Sequence, residues 1–159
     1  RWINIGRLDI NTSGLLLFTN HGELAHRLMH PRYRIDREYA ARIYGEVDAA
    51  VLARLRGGVD IDGEIFQFDD IVIGEGEGSN QWYYCVVQSG RNREVRRLWE
   101  SQDVQVSRLM RVRFGNIMLP TDLRGGRQVE LGGDLLKELC NLVGLAAEAP
   151  TAPVRSRRD

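Results

Sequence analysis

The chain reads as an α+β domain in which helices flank a mixed, mostly antiparallel sheet. Three observations carry that reading. Extended runs of branched and aromatic residues outnumber the amphipathic stretches, the two kinds do not alternate regularly, and no internal repeat divides the chain. With 159 residues, 43% hydrophobic and 28% charged, the chain fits one soluble globular domain that can enclose a sizeable core.

The elements follow in order. Trp2-Ile3-Asn4-Ile5 alternates as a strand does and ends at Gly6. It begins abruptly, without Met, as a fragment of a longer protein would. Asn11-Thr12-Ser13-Gly14 is a turn signature leading into the apolar run Leu15–Phe18, an expected buried strand. Glu23–His30 reads as a short helix stopped by Pro31, and Glu38–Tyr44 as a strand. Asp48 is placed to cap a helix over Ala49–Arg56 that Gly57-Gly58 ends. Strands are expected near 64–73 and 81–88, with Gly74-Glu75-Gly76-Glu77-Gly78 as a flexible hairpin loop. Its glutamates would repel phosphate and its spacing does not match the dinucleotide fingerprint. A helix over Asn92–Gln102, strands over Val104–Phe114 and Gln128–Leu131, and a helix over Asp134–Leu142 complete the domain, expected to span residues 1–143. Residues 144–159 are rich in Ala, Pro and Arg, without periodicity, and are expected to form a disordered tail.

Composition narrows the function. No apolar run is long enough to span a bilayer, and no signal-peptide pattern opens the chain. Cys85 and Cys140 show neither a disulfide framework nor metal-site spacing, which suits a reducing, cytoplasmic setting. The formal net charge is zero, yet its distribution is uneven. Residues 1–45 carry seven Arg against four acids and residues 88–113 seven Arg against three, whereas residues 46–87 carry two Arg against nine acids. If the two positive segments share a face, that face can bind phosphates despite the neutral total. The alternative is a set of charges that merely solvate the surface. All but one of the 22 basic residues are Arg, the side chain that forms bidentate bonds to phosphate and stacks on bases.

Three places can carry chemistry. In Gly6-Arg7-Leu8-Asp9, Arg7 and Asp9 point the same way if the strand continues, forming either a catalytic pair or a structural ion pair. In Ser89-Gly90-Arg91-Asn92-Arg93-Glu94-Val95-Arg96-Arg97-Leu98-Trp99, helical spacing puts Val95, Leu98 and Trp99 on one apolar stripe and Arg93 and Arg97 on the opposite side, open to solvent or phosphate. Arg96 sits at the flank, where a guanidinium folded inward needs a carboxylate, with Asp9 a candidate partner. A plain basic amphipathic helix is the competing reading. In Arg37-Glu38-Tyr39-Ala40-Ala41-Arg42, Arg37, Tyr39 and Ala41 share a strand face, so Tyr39 either stacks on a base or packs in the core. His26 and His30 are four apart without a third ligand, so capping or surface roles are expected and no metal site.

Together these places resemble a known family. Gly6–Leu16 resembles the first signature of the small-ribosomal-subunit type A family of pseudouridine synthases, Arg37-Glu38-Tyr39 the second, and Gly90–Leu98 the third. Within it, Arg1–Asn20 and His26–Pro31 most resemble the branch acting on the large ribosomal subunit, the synthase B branch. The resemblance implies the pseudouridine synthase fold, isomerisation of a specific uridine in 23S ribosomal RNA, and no cofactor or metal. It implies that Asp9 is the nucleophile, that Tyr39 stacks on the uracil, and that Arg96 pairs with the nucleophile. It further implies that Arg7 helps displace the target from the RNA stack and that Val95 or Leu98 lines the uracil pocket, with Arg93 and Arg97 contacting RNA. Family members usually carry an S4-type RNA-binding domain ahead of this point, so residues 1–143 are expected to be the catalytic domain alone, acting as a monomer in the cytoplasm. Other readings are a family member acting on 16S rRNA or tRNA, a non-catalytic RNA-binding module, and a glycoside hydrolase. The last would need a second carboxylate across the bond, which no motif supplies.

Overall fold

The computed structural model describes residues 1–146. Strand β1 (Ile3–Ile5) and strand β3 (Leu17–Thr19) pair antiparallel, with β2 (Ser13–Gly14) between them in sequence. Helix α1 (Gly22–Met29) follows, then a 3-10 turn over Pro31–Tyr33 and strand β4 (Arg37–Tyr44). Helix α2 (Ala49–Gly57) leads to a small hairpin of β5 (Val59–Ile61) and β6 (Glu64–Phe66), then to the long hairpin of β7 (Asp70–Glu77) and β8 (Asn80–Val87). Helix α3 (Glu94–Glu100), strands β9 (Gln105–Phe114) and β10 (Ile117–Met118), and helix α4 (Gly133–Leu142) complete the order. The main sheet runs β10-β9-β4-β8-β7, all antiparallel, and β2 adds a short parallel pairing to β9. The expected α+β class with a mixed, mostly antiparallel sheet is the observed one.

Local chemistry explains most boundaries. Asp48 accepts a hydrogen bond from the Val51 amide at 2.9 Å and so caps α2 as its position predicts. His21 caps α1 through Nδ1, which accepts from the Leu24 amide, and His30 caps the 3-10 turn in the same way through the Arg32 amide. Two expectations fail. Residues 128–131 form no strand: they alternate correctly, but they join no sheet and Val129 stays exposed. The glycine-rich segment is not a loop but the end of β7, with the turn falling at Gly78-Ser79. Its glycines serve close packing, because a Cβ on Gly74 would meet the Tyr84 ring at 2.7 Å and one on Gly76 the Asn80 carbonyl at 2.8 Å. The expected tail lies outside the described residues from residue 147 onward.

Two apolar clusters organise the interior. The first packs α2 and α3 onto one sheet face, with Trp99 fully buried against Tyr83 and Phe68. The second joins Ile5, Leu15 and Leu17 to α1, α4 and the end of β9 through residues such as Leu28, Phe114 and Leu139. Buried Arg37 stitches the two together. Its guanidinium donates to the carbonyls of Ile35, Gln88 and Leu28 at 2.7, 2.9 and 3.2 Å and lies over the Phe114 ring.

The first cluster's sheet meets the second cluster's turn at Gly14. There φ is +110°, and an added Cβ would sit 2.2 Å from the Arg111 carbonyl oxygen. Only glycine lets β2 lie this close to β9. Gly14→Ala is therefore expected to destabilise the fold by more than about 1 kcal/mol, whereas Gly22→Ala, in open space in the first turn of α1, should be neutral or stabilising. Denaturant midpoints of the two variants check the contrast.

Candidate active site

A cavity of about 510 Å³ opens where the two clusters meet. Its walls come from the segment after β1 (Arg7, Leu8, Asp9, Thr12), from β4 (Arg37, Tyr39), from β8 and β9 (Val87, Leu109, Arg111), and from the loop and first turn of α3 (Gly90–Arg96). Six arginines face two acids, Asp9 and Glu94, across this space. Arg7 and Arg37 belong to the first basic segment of the sequence and the other four to the second. The two positive segments therefore do converge, and the excess of guanidinium groups makes the cavity a receptor for anions.

Asp9 is one-third exposed and sits in a closed turn, in which the Thr12 amide donates to the Asp9 carbonyl at 2.9 Å. Its nearest cation differs from the expected one. Arg93 Nη1 lies 3.7 Å from Asp9 Oδ2, while Arg96 Nη2 donates to the main-chain carbonyl of Asn11 at 2.6 Å. Arg96 folds inward and is buried as its flank position suggests, but it grips the backbone of the turn that carries Asp9 rather than the carboxylate. Arg93 reaches Asp9 because it adopts a left-handed conformation, φ 52°, immediately before α3. That turns its side chain away from the helical position assumed from the sequence.

Arg7, Asp9, Tyr39, Arg93, Val95 and Arg96 thus line one cavity. Two other candidates do not. Leu98 is fully buried in the first cluster, on the stripe it shares with Trp99, and has no access to the cavity. Arg97 points to the opposite side of α3, where it pairs with Asp62 at 3.3 Å and lies over the Phe66 ring. The acidic hairpin β5–β6 occupies this guanidinium, and it also holds Arg91 through Glu64 and Phe66.

Four charged cavity residues were not among the candidates: Arg37 and Arg111 at the buried end, Arg91, and Glu94. Arg111 is buried, donates through Nε to the Leu15 carbonyl at 2.9 Å, and lies over Phe114 beside Arg37. Burial, with a smaller effect from Arg111, lowers the Arg37 pKa. The signal for Glu94 was a lone acid among four arginines between residues 91 and 97. Its carboxylate accepts from the Ser89 hydroxyl and from the Arg91 amide, which ties the loop before α3 into a fixed shape.

The fold is that of a pseudouridylate synthase: a crystal structure of such an enzyme superposes with a TM-score of 0.76 at 24% identity, over 87% of this chain and 59% of that one. A crystal structure of the archaeal box H/ACA sRNP Nop10–Cbf5 complex superposes less closely, at a TM-score of 0.57 and 21% identity over 74% of this chain and 40% of that one. The chain belongs to the RNA pseudouridylate synthase family, whose model matches residues 1–101. It is 56% identical over 151 residues to the ribosomal large subunit pseudouridine synthase B of Haemophilus influenzae, covering 95% of this chain and 42% of that protein. It is 53% identical to the synthases of the same name from Pseudomonas aeruginosa, over 163 residues, and Escherichia coli K12, over 148 residues. These matches take in 100% and 93% of this chain, and 42% and 51% of the two relatives. The chain thus spans about half the length of the curated relatives it matches.

Glu94 supplies a pH test of the loop geometry. Burial raises its pKa, and the bonds from Ser89 and Arg91 offset only part of that rise. A carboxyl with a folded-state pKa above its unfolded one favours folding at low pH, and that contribution is lost as pH rises through the folded value. The denaturant midpoint of the wild type is expected to fall relative to that of Glu94→Gln as pH rises from the ordinary glutamate value, about 4.3, through the raised folded value. Parallel midpoints across that range would contradict the assignment.

Proposed function

We propose that the chain is the catalytic part of an RNA pseudouridine synthase that isomerises a uridine in large-subunit (23S) ribosomal RNA. The single observation that carries this reading is the convergence of Asp9, Tyr39 and the arginines of the α3 loop on one cation-rich cavity. The names of the relatives, all large-subunit synthases, favour 23S rRNA over 16S rRNA or tRNA.

The chemistry suits the residues. Isomerisation breaks the C1′–N1 bond, turns the uracil, and joins C1′ to C5. Asp9 attacks the target nucleoside, and the covalent adduct divides one difficult step into easier ones. Tyr39, half-buried on the cavity wall, stacks on the uracil and holds it while the glycosidic bond is broken. Val95 closes the apolar side of the uracil site. Arg7 and Arg93, both exposed at the surface, contact the RNA backbone and help the target leave its stack. Arg96 works through the turn: by fixing the Asn11 carbonyl it fixes the carboxylate two residues earlier. The reaction transfers no electrons and needs no external group, so no cofactor enters it. Among the described residues, no helix is long and apolar enough to cross a membrane, and a ribosomal RNA substrate places the work in the cytoplasm.

Asp9→Asn keeps the shape of the turn and removes the nucleophile. In the full-length protein it is expected to retain RNA binding and to lower pseudouridine formation by at least about a thousand-fold, the scale seen when a covalent nucleophile is removed. Mapping pseudouridine in rRNA from cells lacking the gene should show loss at a large-subunit position. Product formation by Asp9→Asn at the wild-type rate would leave an RNA-binding module as the better account.

A further inference from the structure

Ile10 follows the proposed nucleophile directly and is 99% exposed. Single exposed aliphatic residues are common and carry no meaning by themselves. This one differs in its setting. Tight turns favour polar residues and glycine, yet here a β-branched aliphatic residue sits inside a turn closed by the Thr12 amide and the Asp9 carbonyl. The next residue, Asn11, is clamped through its carbonyl by the buried Arg96. The turn is therefore a rigid mount. Arg7, Leu8, Asp9 and Thr12 line the cavity, whereas Ile10 and Asn11 do not, so Ile10 stands on the outer crest of the turn, beside the cavity mouth. Exposed Arg7 and Arg93 line the same cavity as Asp9, and Arg93 pairs with it at 3.7 Å.

We infer that Ile10 is an apolar wedge that enters the base stack of a helical RNA at the point where the target uridine leaves it. Proteins that distort nucleic acid insert such side chains between base steps, and the neighbouring cations hold the backbone while the stack is opened. Filling the vacated position by Ile10 keeps the extruded uridine from returning and leaves it in the cavity beside Asp9. The role is one of positioning: Ile10 touches the flanking bases and takes no part in bond making. It rests on the proposed function, since it presupposes an RNA substrate.

The test compares Ile10→Ser and Ile10→Leu, in the full-length protein, on two versions of one stem-loop that the wild type modifies. In one version the target uridine is paired and stacked; in the other its partner is replaced by an abasic residue, so that the uridine is already loose. Ile10→Ser is expected to lower kcat/KM at least tenfold on the stacked RNA and to approach the wild type on the loose one. Ile10→Leu should resemble the wild type on both. Equal turnover by Ile10→Ser and wild type on the stacked RNA would overturn the wedge. So would equal losses on both RNAs, which would mark Ile10 as a support for the turn or as a contact for another part of the protein. Absence of any wild-type product on rRNA-derived stem-loops would overturn the proposed function itself, and the wedge with it.

Discussion

The contact between the Arg96 guanidinium and the Asn11 carbonyl, 2.6 Å long, decides how everything around it is arranged. Arg96 belongs to the helix that packs on the main sheet, and Asn11 to a turn anchored in the other apolar cluster. Across this bond the two halves of the fold acquire a fixed relation, and Asp9 acquires a fixed place. A bond from a charged donor to a buried carbonyl is among the stronger kinds. Breaking it would leave both groups short of partners, the more so because Arg96 Nε already lacks one. The other ties at the junction, Arg37 to three carbonyls and Arg111 to the Leu15 carbonyl, follow the same pattern. Buried arginines here hold backbone, and each presents a cationic wall to the cavity as a consequence.

Charge is sorted with the same economy. A chain of zero net charge has gathered six arginines around one cavity, and its acids are placed mostly elsewhere. The hairpin β5–β6 neutralises the outer face of α3, where Asp62 and Glu64 hold Arg97 and Arg91. The hairpin thus offsets positive charge on the flank of the helix, while the cavity keeps an excess of guanidinium over carboxylate groups.

Much of this was legible in the sequence. Asp48 and Gly57-Gly58 mark α2, and the aromatic and branched run after Arg37 marks β4, because capping and side-chain alternation are local properties. The candidate site was legible as residue types in order: Asp9, Tyr39 and Arg96 do share a cavity. What could not be read was long-range. Residues 128–131 have the alternation of a strand yet enter no sheet, and the glycines near residue 76 resemble a loop until Tyr84 is seen lying across Gly74. Arg93 rather than Arg96 lies beside the Asp9 carboxylate, and Arg93 is left-handed at the start of α3, a torsion that no spacing rule reveals. Leu98 and Arg97 fall away from the site for the opposite reason: the helix obeys its ideal period, and that period points one into the core and the other at Asp62.

Amide hydrogen exchange measured residue by residue in Arg96→Ala tests the central claim most directly. If this guanidinium is what holds the turn, the Thr12 amide, bonded to the Asp9 carbonyl, exchanges much faster in the variant while the paired amides of β4 and β8 remain as protected as before. Unchanged protection at Thr12, in a variant whose sheet is intact, would mean that the turn stands without Arg96 and that the fold positions Asp9 by other means.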